Sequence, residues 1–429
     1  MNTMQLTERI HQGEMDNLFE TLYGKSGVAS ARVRYTDAIA AFTHLYGNRE
    51  GAMLFSVAGR SEISGNHTDH NHGKVIAASV DCDIIAVAAP AEGGVVRIKS
   101  EKYKEDRIGL SDLSPDQFPR FKSISLVAGM CRAMREAGYV AEGFDAYTTS
   151  NVLKGSGLSS SAAFEVMVGN ILNHLYNDGK IDNTEIAKFA QWSEIHYFGK
   201  PCGLMDQMAC AVGGFVKIDF ADPANPIIEK KVFDLDALGY NLCIINTGGN
   251  HSDLNDDYAA IPAEMKAVAG FFGQSVLRGI TIEQLLQNAD AIRKKAGDRA
   301  LLRALHFVAE NDRVDEIGAA MDNKDILAFL AGLGASGDSS FKWLQNVYTV
   351  QHPNEQGVSL TLAVAERSLK KAPRAGVCRV HGGGFAGTVQ AFVPSEYVET
   401  FRRDVDLVMG EGACMIMRVR PYGAIRVDK

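Results

Sequence analysis

The stretch Lys154-Gly-Ser-Gly-Leu-Ser-Ser-Ser-Ala-Ala163 constrains the architecture of this chain more than any other. Two glycines, 155 and 157, let the backbone approach a ligand closely. Three serines, 159 to 161, stand where a helical stripe begins (Ala162, Val166, Gly169, Ile171, Leu172, Leu175). A helix that starts there presents unpaired N–H groups and partial positive charge, a seat for a phosphate whose Mg²⁺ a serine hydroxyl could reach. The same residues would also serve as a serine-capped turn. A Walker A loop is excluded, because the Gly-Lys-Ser/Thr ending is missing.

Around this stretch, short apolar runs that read as strands (75–80, 84–89, 214–220, 240–246, 389–393) alternate with helical stripes (15–23, 124–135, 164–176, and much of 259–330). Interspersed elements of this kind predict an α+β protein, and 429 residues suggest two domains. The joint Asp222-Pro-Ala-Asn-Pro226 places the division at residues 1–225 and 226–429. Asp and Glu outnumber Lys and Arg by 52 to 44, for a net charge of −8, which disfavours a nucleic-acid or membrane-surface binder. Seven dispersed cysteines, with no C-x-x-C pair, argue against a disulfide framework or a zinc ribbon. No leader-like apolar core stands in 1–13 and no run approaches the length of a membrane span, so the expected location is cytoplasmic.

Three further segments carry chemistry. Gly59-Arg-Ser-Glu-Ile-Ser-Gly-Asn-His-Thr-Asp-His-Asn-His-Gly73 is dense in donors and acceptors between glycines, as converging hydrogen bonds to a sugar require. A metal site on His67, Asp69, His70 and His72, or a solvated loop, are its rivals. His381-Gly-Gly-Gly-Phe-Ala-Gly-Thr388 has four glycines in six residues, ahead of an apolar strand. Pro201-Cys-Gly-Leu-Met-Asp-Gln207 presents one acid in apolar surroundings; read locally, Asp206 is a helix cap, with a functional carboxylate as the alternative. Gly337–Tyr348, polar then aromatic, reads as a plain helix start.

In this order, the four chemical segments resemble those of the GHMP small-molecule kinases, and within them the galactokinase family. The resemblance runs from about residue 50 to 395. It implies a two-lobed fold with the active site in the cleft between an N-terminal and a C-terminal α/β domain. By the same resemblance, Gly155, Gly157, Leu158, Ser159, Ser160 and Ser161 would bind the nucleotide, and Ser161 with Glu194 would hold Mg²⁺. Asp206 would take the proton of the anomeric hydroxyl, with Arg60 beside it and the γ-phosphate. Asn66, His67, Asp69, Gly203 and Tyr258 would meet the sugar. ATP and Mg²⁺ are the implied cofactors, galactose the implied substrate, and the chain a monomer or weak homo-oligomer.

The family signature, Gly-Arg-Val-Asn-Leu-Ile-Gly-Glu-His-Thr-Asp-Tyr-Asn, is not reproduced throughout. Asn66 replaces its glutamate, His70 its tyrosine, and Ser61-Glu-Ile-Ser64 its Val-Asn-Leu-Ile; His381 replaces a small hydroxyl residue. A neutral Asn66 opens a second substrate, a hexuronate such as galacturonate, and N-acetylgalactosamine stands further behind. A catalytically silent sugar and nucleotide sensor is the competing class.

Overall fold

The apolar run Ile84–Ala89 serves two destinations. Ile84, Ala86 and Ala88 belong to one core, while Ile85, Val87 and Ala89 belong to another on the opposite face. Successive strand side chains point to opposite faces, so such a run requires a sheet covered on both sides. The computed structural model describes residues 1–152, 157–200, 202–249 and 254–429 and shows this arrangement. Its strands are β1 (Met53–Ser64), β2 (Lys74–Pro90), β3 (Val95–Ser100), β4 (Asp106–Gly109), β5 (Phe144–Ser150), β6 (Phe215–Asp219), β7 (Ile227–Lys231), β8 (Tyr240–Asn246), β9 (Val377–His381), β10 (Thr388–Pro394), β11 (Cys414–Met417) and β12 (Ala424–Arg426). The runs 75–80 and 84–89 are thus two halves of one long strand.

The first sheet has the order β12-β1-β2-β5-β3-β4, with β6 pairing β2 and β7 pairing β6. Helices Thr3–His11, Asp16–Tyr23 and Val28–Tyr46 supply the core on one face, through Leu6, Phe19, Tyr35 and Phe42. Helices Ser123–Glu136, Ser160–Tyr176, Asn183–Ser193 and Met205–Val212 fill the other. The second sheet, β11-β8-β10-β9, is also covered twice. Leu242, Ile244 and Phe392 face the main core; Cys243, Ile245, Val389 and Val393 face the one shared with helices Gly357–Leu369 and Val398–Met409. Two covered sheets make the two-lobed α+β fold.

The expected division after residue 225 falls between β6 and β7, which pair residue for residue from Phe215↔Lys231 to Asp219↔Ile227. The chain also returns to the first sheet at its far end, where β12 pairs with β1. Both strands were expected in the second domain. Residues 337–348 also depart from the expected helix start. They are the end of helix Ile326–Ser339, followed by one π turn, Ser340–Leu344, and a left-handed Gln345 (φ +59°). No described helix is long and apolar enough to cross a membrane.

Candidate active site

Asp206 lies in the first turn of helix Met205–Val212, but the cap is Leu204, so the local reading of Asp206 as the cap is set aside. Its carboxylate is used elsewhere. Arg60 Nε on β1 donates to Asp206 Oδ1 at 2.6 Å, and the hydroxyl of Ser159 donates to Oδ2. Arg60 also reaches the carbonyl of Gly157, while its backbone N–H meets the carbonyl of Leu158 at 3.1 Å. One guanidinium thereby joins the acid to the phosphate-loop candidate. Burial pushes the Asp206 carboxyl up, but the charge and hydrogen bond of Arg60, with help from Ser159 and Lys200, hold it below the ordinary aspartate range. It is a carboxylate at neutral pH.

Ser159, placed by sequence among the nucleotide ligands, precedes the helix Ser160–Tyr176 in a left-handed conformation (φ +61°) and spends its hydroxyl on Asp206. Ser160 and Ser161 open the helix and are partly exposed. Gly157 has φ +69°, and a Cβ there would stand 3.3 Å from His381 Nδ1 and 3.2 Å from Thr388 Oγ1. The C-terminal glycine segment therefore abuts the phosphate loop. Gly155 lies outside the described residues.

Glu194 ends helix Asn183–Ser193 and begins a π turn, Glu194–Phe198. Its buried carboxylate takes Gln207 Nε2 at 2.6 Å on one oxygen and Lys200 Nζ at 3.1 Å on the other. The same Gln207 nitrogen lies 3.3 Å from Glu165, one turn beyond Ser161; the second Glu165 oxygen is buried without a partner among the described residues. Sequence reasoning missed Glu165. Its signal was the i, i+4 spacing from Ser161, which puts both on one helix face.

The polar loop between β1 and β2 brings Asp69 against Gly203; any side chain at 203 would collide with that carboxylate. Both line a pocket of about 170 Å³ together with His70, Cys202 and Leu204. A larger groove, about 560 Å³, runs between helices Thr3–His11 and Val28–Tyr46 and contains none of the site residues. His67 Nε2 donates to the carbonyl of Gly383 at 3.0 Å. Burial, then His70, pushes its pKa down to about 4, so the ring is neutral. Tyr258 donates to the carbonyl of Gly384 at 2.8 Å and stands edge-on to Phe385. The metal reading of the histidine-rich loop finds no support, since no group of three His, Cys, Asp or Glu among the described residues is arranged to hold an ion.

Asn66 departs from expectation. It is fully buried, and its amide is committed to protein: Nδ2 donates to Glu62 Oε1 (2.9 Å) and Gly382 O (2.6 Å), and Oδ1 accepts from Asn346 Nδ2 (2.7 Å). Every part of the amide is thus engaged by protein groups.

Comparison with known proteins agrees with this geometry. The model of GHMP kinases N terminal domain matches residues 125–214, and the galactokinase galactose-binding signature matches 40–90. A galactokinase of Streptomyces coelicolor is 30% identical over 372 residues, which is 85% of this chain and 90% of the relative. The chain belongs to the galactokinase family. Lactococcus lactis galactokinase, solved with galactose, superposes with a TM-score of 0.77 at 25% identity over 92% of this chain and all of that one. A mevalonate kinase shares the fold alone, with a TM-score of 0.59 at 14% identity over 85% of this chain and 98% of that one. A galactokinase-family chain of this extent is a sugar kinase, a phosphotransferase acting on an alcohol group, and members of the family use ATP.

The donor set fits the family's Mg²⁺. The Glu194 carboxylate, the Ser161 hydroxyl and a Glu165 oxygen that has no partner among the described residues are hard oxygen donors, too few to cage an ion. That suits a cation held by one or two protein groups and completed by water and phosphates.

Proposed function

We propose that this chain transfers the γ-phosphoryl group of ATP to the anomeric hydroxyl of galactose, forming galactose 1-phosphate. The observation that carries the reading is the ion pair of Asp206 and Arg60 at the mouth of the phosphate loop. Phosphoryl transfer needs positioning and charge neutralisation more than covalent chemistry. Asp206 accepts the proton of the anomeric hydroxyl as its oxygen bonds to the γ-phosphorus; the bond from that phosphorus to the β,γ-bridging oxygen breaks, and ADP leaves. Arg60 keeps Asp206 ionised and offsets charge on the group in transfer. Gly157, Leu158, Ser160 and Ser161, with Gly155, seat the nucleotide phosphates at the helix N-terminus, and Ser159 orients the acid. Ser161 and Glu194 would hold Mg²⁺, which neutralises phosphate charge when bound.

His67, Asp69, Gly203 and Tyr258 form the sugar side. Asn66, with its amide committed to protein, is left out of that set. Its neutrality was the one feature that favoured galacturonate, so that substrate loses its support. We place the lobe boundary after β7, with β12 returned to the first lobe. Seven free thiols are consistent with a cytoplasmic enzyme.

Asp206→Asn tests the mechanism. Turnover should fall by roughly 10²–10⁴-fold, while galactose binding measured by calorimetry and the melting temperature change little. Wild-type turnover in that variant would remove Asp206 from the chemistry.

A further inference from the structure

Residues 337–348 take no part in this chemistry, yet three of their side chains, Ser339, Ser340 and Asn346, are buried and hydrogen-bonded toward the sugar loop. Ser339 Oγ lies 2.8 Å from His306 Nδ1, and His306 Nε2 lies 2.9 Å from the carbonyl of Asn66. A carbonyl only accepts, so the ring proton sits on Nε2 and Nδ1 accepts from Ser339. Asn346 Nδ2 donates to Asn66 Oδ1 at 2.7 Å and lies 3.2 Å from the carbonyl of Gly383, the group that also holds His67. One turn beyond His306 on helix Asp298–Asp322, Glu310 accepts from Gly65 N at 2.9 Å and from Ser64 Oγ at 3.0 Å. The loop so held is bent: Gly65 has φ +97° and His67 φ +59°. A non-glycine residue in the left-handed region is disfavoured, and it persists only where its surroundings enforce it.

We propose that Ser339–Asn346, with His306, is the positioning element of the sugar-binding loop: by fixing Asn66 from the second lobe it sets where His67 and Asp69 stand, and so the affinity for sugar. None of the described hydrogen bonds joins this segment directly to 157–161; it also contacts the glycine loop, at Gly383 and Phe385. The inference rests on the reading of 59–73 as the sugar loop.

The test measures galactose KM, ATP KM and kcat, with galactose binding by calorimetry, for Ser339→Ala, Asn346→Ala, His306→Leu and His306→Gln. Losing a buried hydrogen bond and stranding its partner should raise galactose KM and Kd about tenfold in Asn346→Ala and His306→Leu. ATP KM and kcat should stay within about twofold of wild type, taking a buried-contact loss as the only change. His306→Gln, whose amide nitrogen can stand in for Nε2, should recover most of the affinity. Unchanged galactose affinity in variants that melt like the wild type would overturn the proposal, as would an equal rise in ATP KM. If His306→Leu does not fold, Ser339→Ala, which removes one hydroxyl, decides by the same readout. Calorimetry separates the two readings: a wild type that binds galactose without turnover defeats the kinase assignment and leaves the positioning role measurable. A wild type that binds no sugar defeats both.

Discussion

Glu62 and Asn66 are two departures from the family's sugar signature, and in the structure they meet, with 2.9 Å between Oε1 and Nδ2. The signature carries Asn at the first position and Glu at the second, so the amide and the carboxylate have changed places. Asn66→Glu alone would set a second buried carboxylate against Glu62. It should destabilise the protein by about 3 kcal/mol or more, the range for an uncompensated buried charge. Glu62→Asn in the same chain should restore most of that, and simple additivity of the two changes would contradict the pairing. Burial pushes the Glu62 carboxyl from 4.5 up to about 7, although Arg379 and Asn66 pull it down. The folded chain then holds this proton more tightly than the unfolded one. Its stabilising contribution is complete below pH 4.5 and is lost as pH rises through 7. The melting temperature should therefore drop less between pH 5 and pH 8 in Glu62→Gln than in the wild type, and an identical drop would exclude Glu62 as the source.

At the scale of elements, the proposed mechanism divides the work on the nucleotide between the loop at 157–161 and the π turn at Glu194. Ser161→Ala and Glu194→Gln should each raise the Mg²⁺ concentration needed for half-maximal turnover; unchanged dependence in both would mean the metal sits elsewhere. The phosphate loop was legible in sequence because its motif is contiguous; the π turn at Glu194 was not. Gly157 and the helix after Ser160 need only neighbours in the chain to be recognised, whereas Asp206 was singled out by the family resemblance. Partnerships were not legible in the same way. Arg60 and Asp206 are 146 positions apart, and Asn66 and Asn346 are 280 apart. No local pattern could show that Asn66 points into protein, or that 337–348 closes a helix to hold a loop. The cap reading of Asp206 failed for a related reason: the local rule counts a free acid near a helix start, while here Arg60 and Ser159 had already claimed it.

For the whole molecule, two sheets covered on both faces leave their polar loops as the place where the lobes meet. The sugar loop leaves β1 in the first lobe and is gripped by residues 306–346 and 382–383 of the second part of the chain. The return of β12 to β1 shows that the lobes are not successive halves of the sequence, which composition and one Pro-rich joint could not reveal. Phosphorylation of galactose at this site is tested by ATP consumption of the purified protein with Mg²⁺ and, in turn, galactose, galacturonate, N-acetylgalactosamine, glucose and no sugar. Turnover with galactose well above all the others is the predicted result. Preference for galacturonate or N-acetylgalactosamine, or silence with every sugar alongside measurable galactose binding, would contradict it.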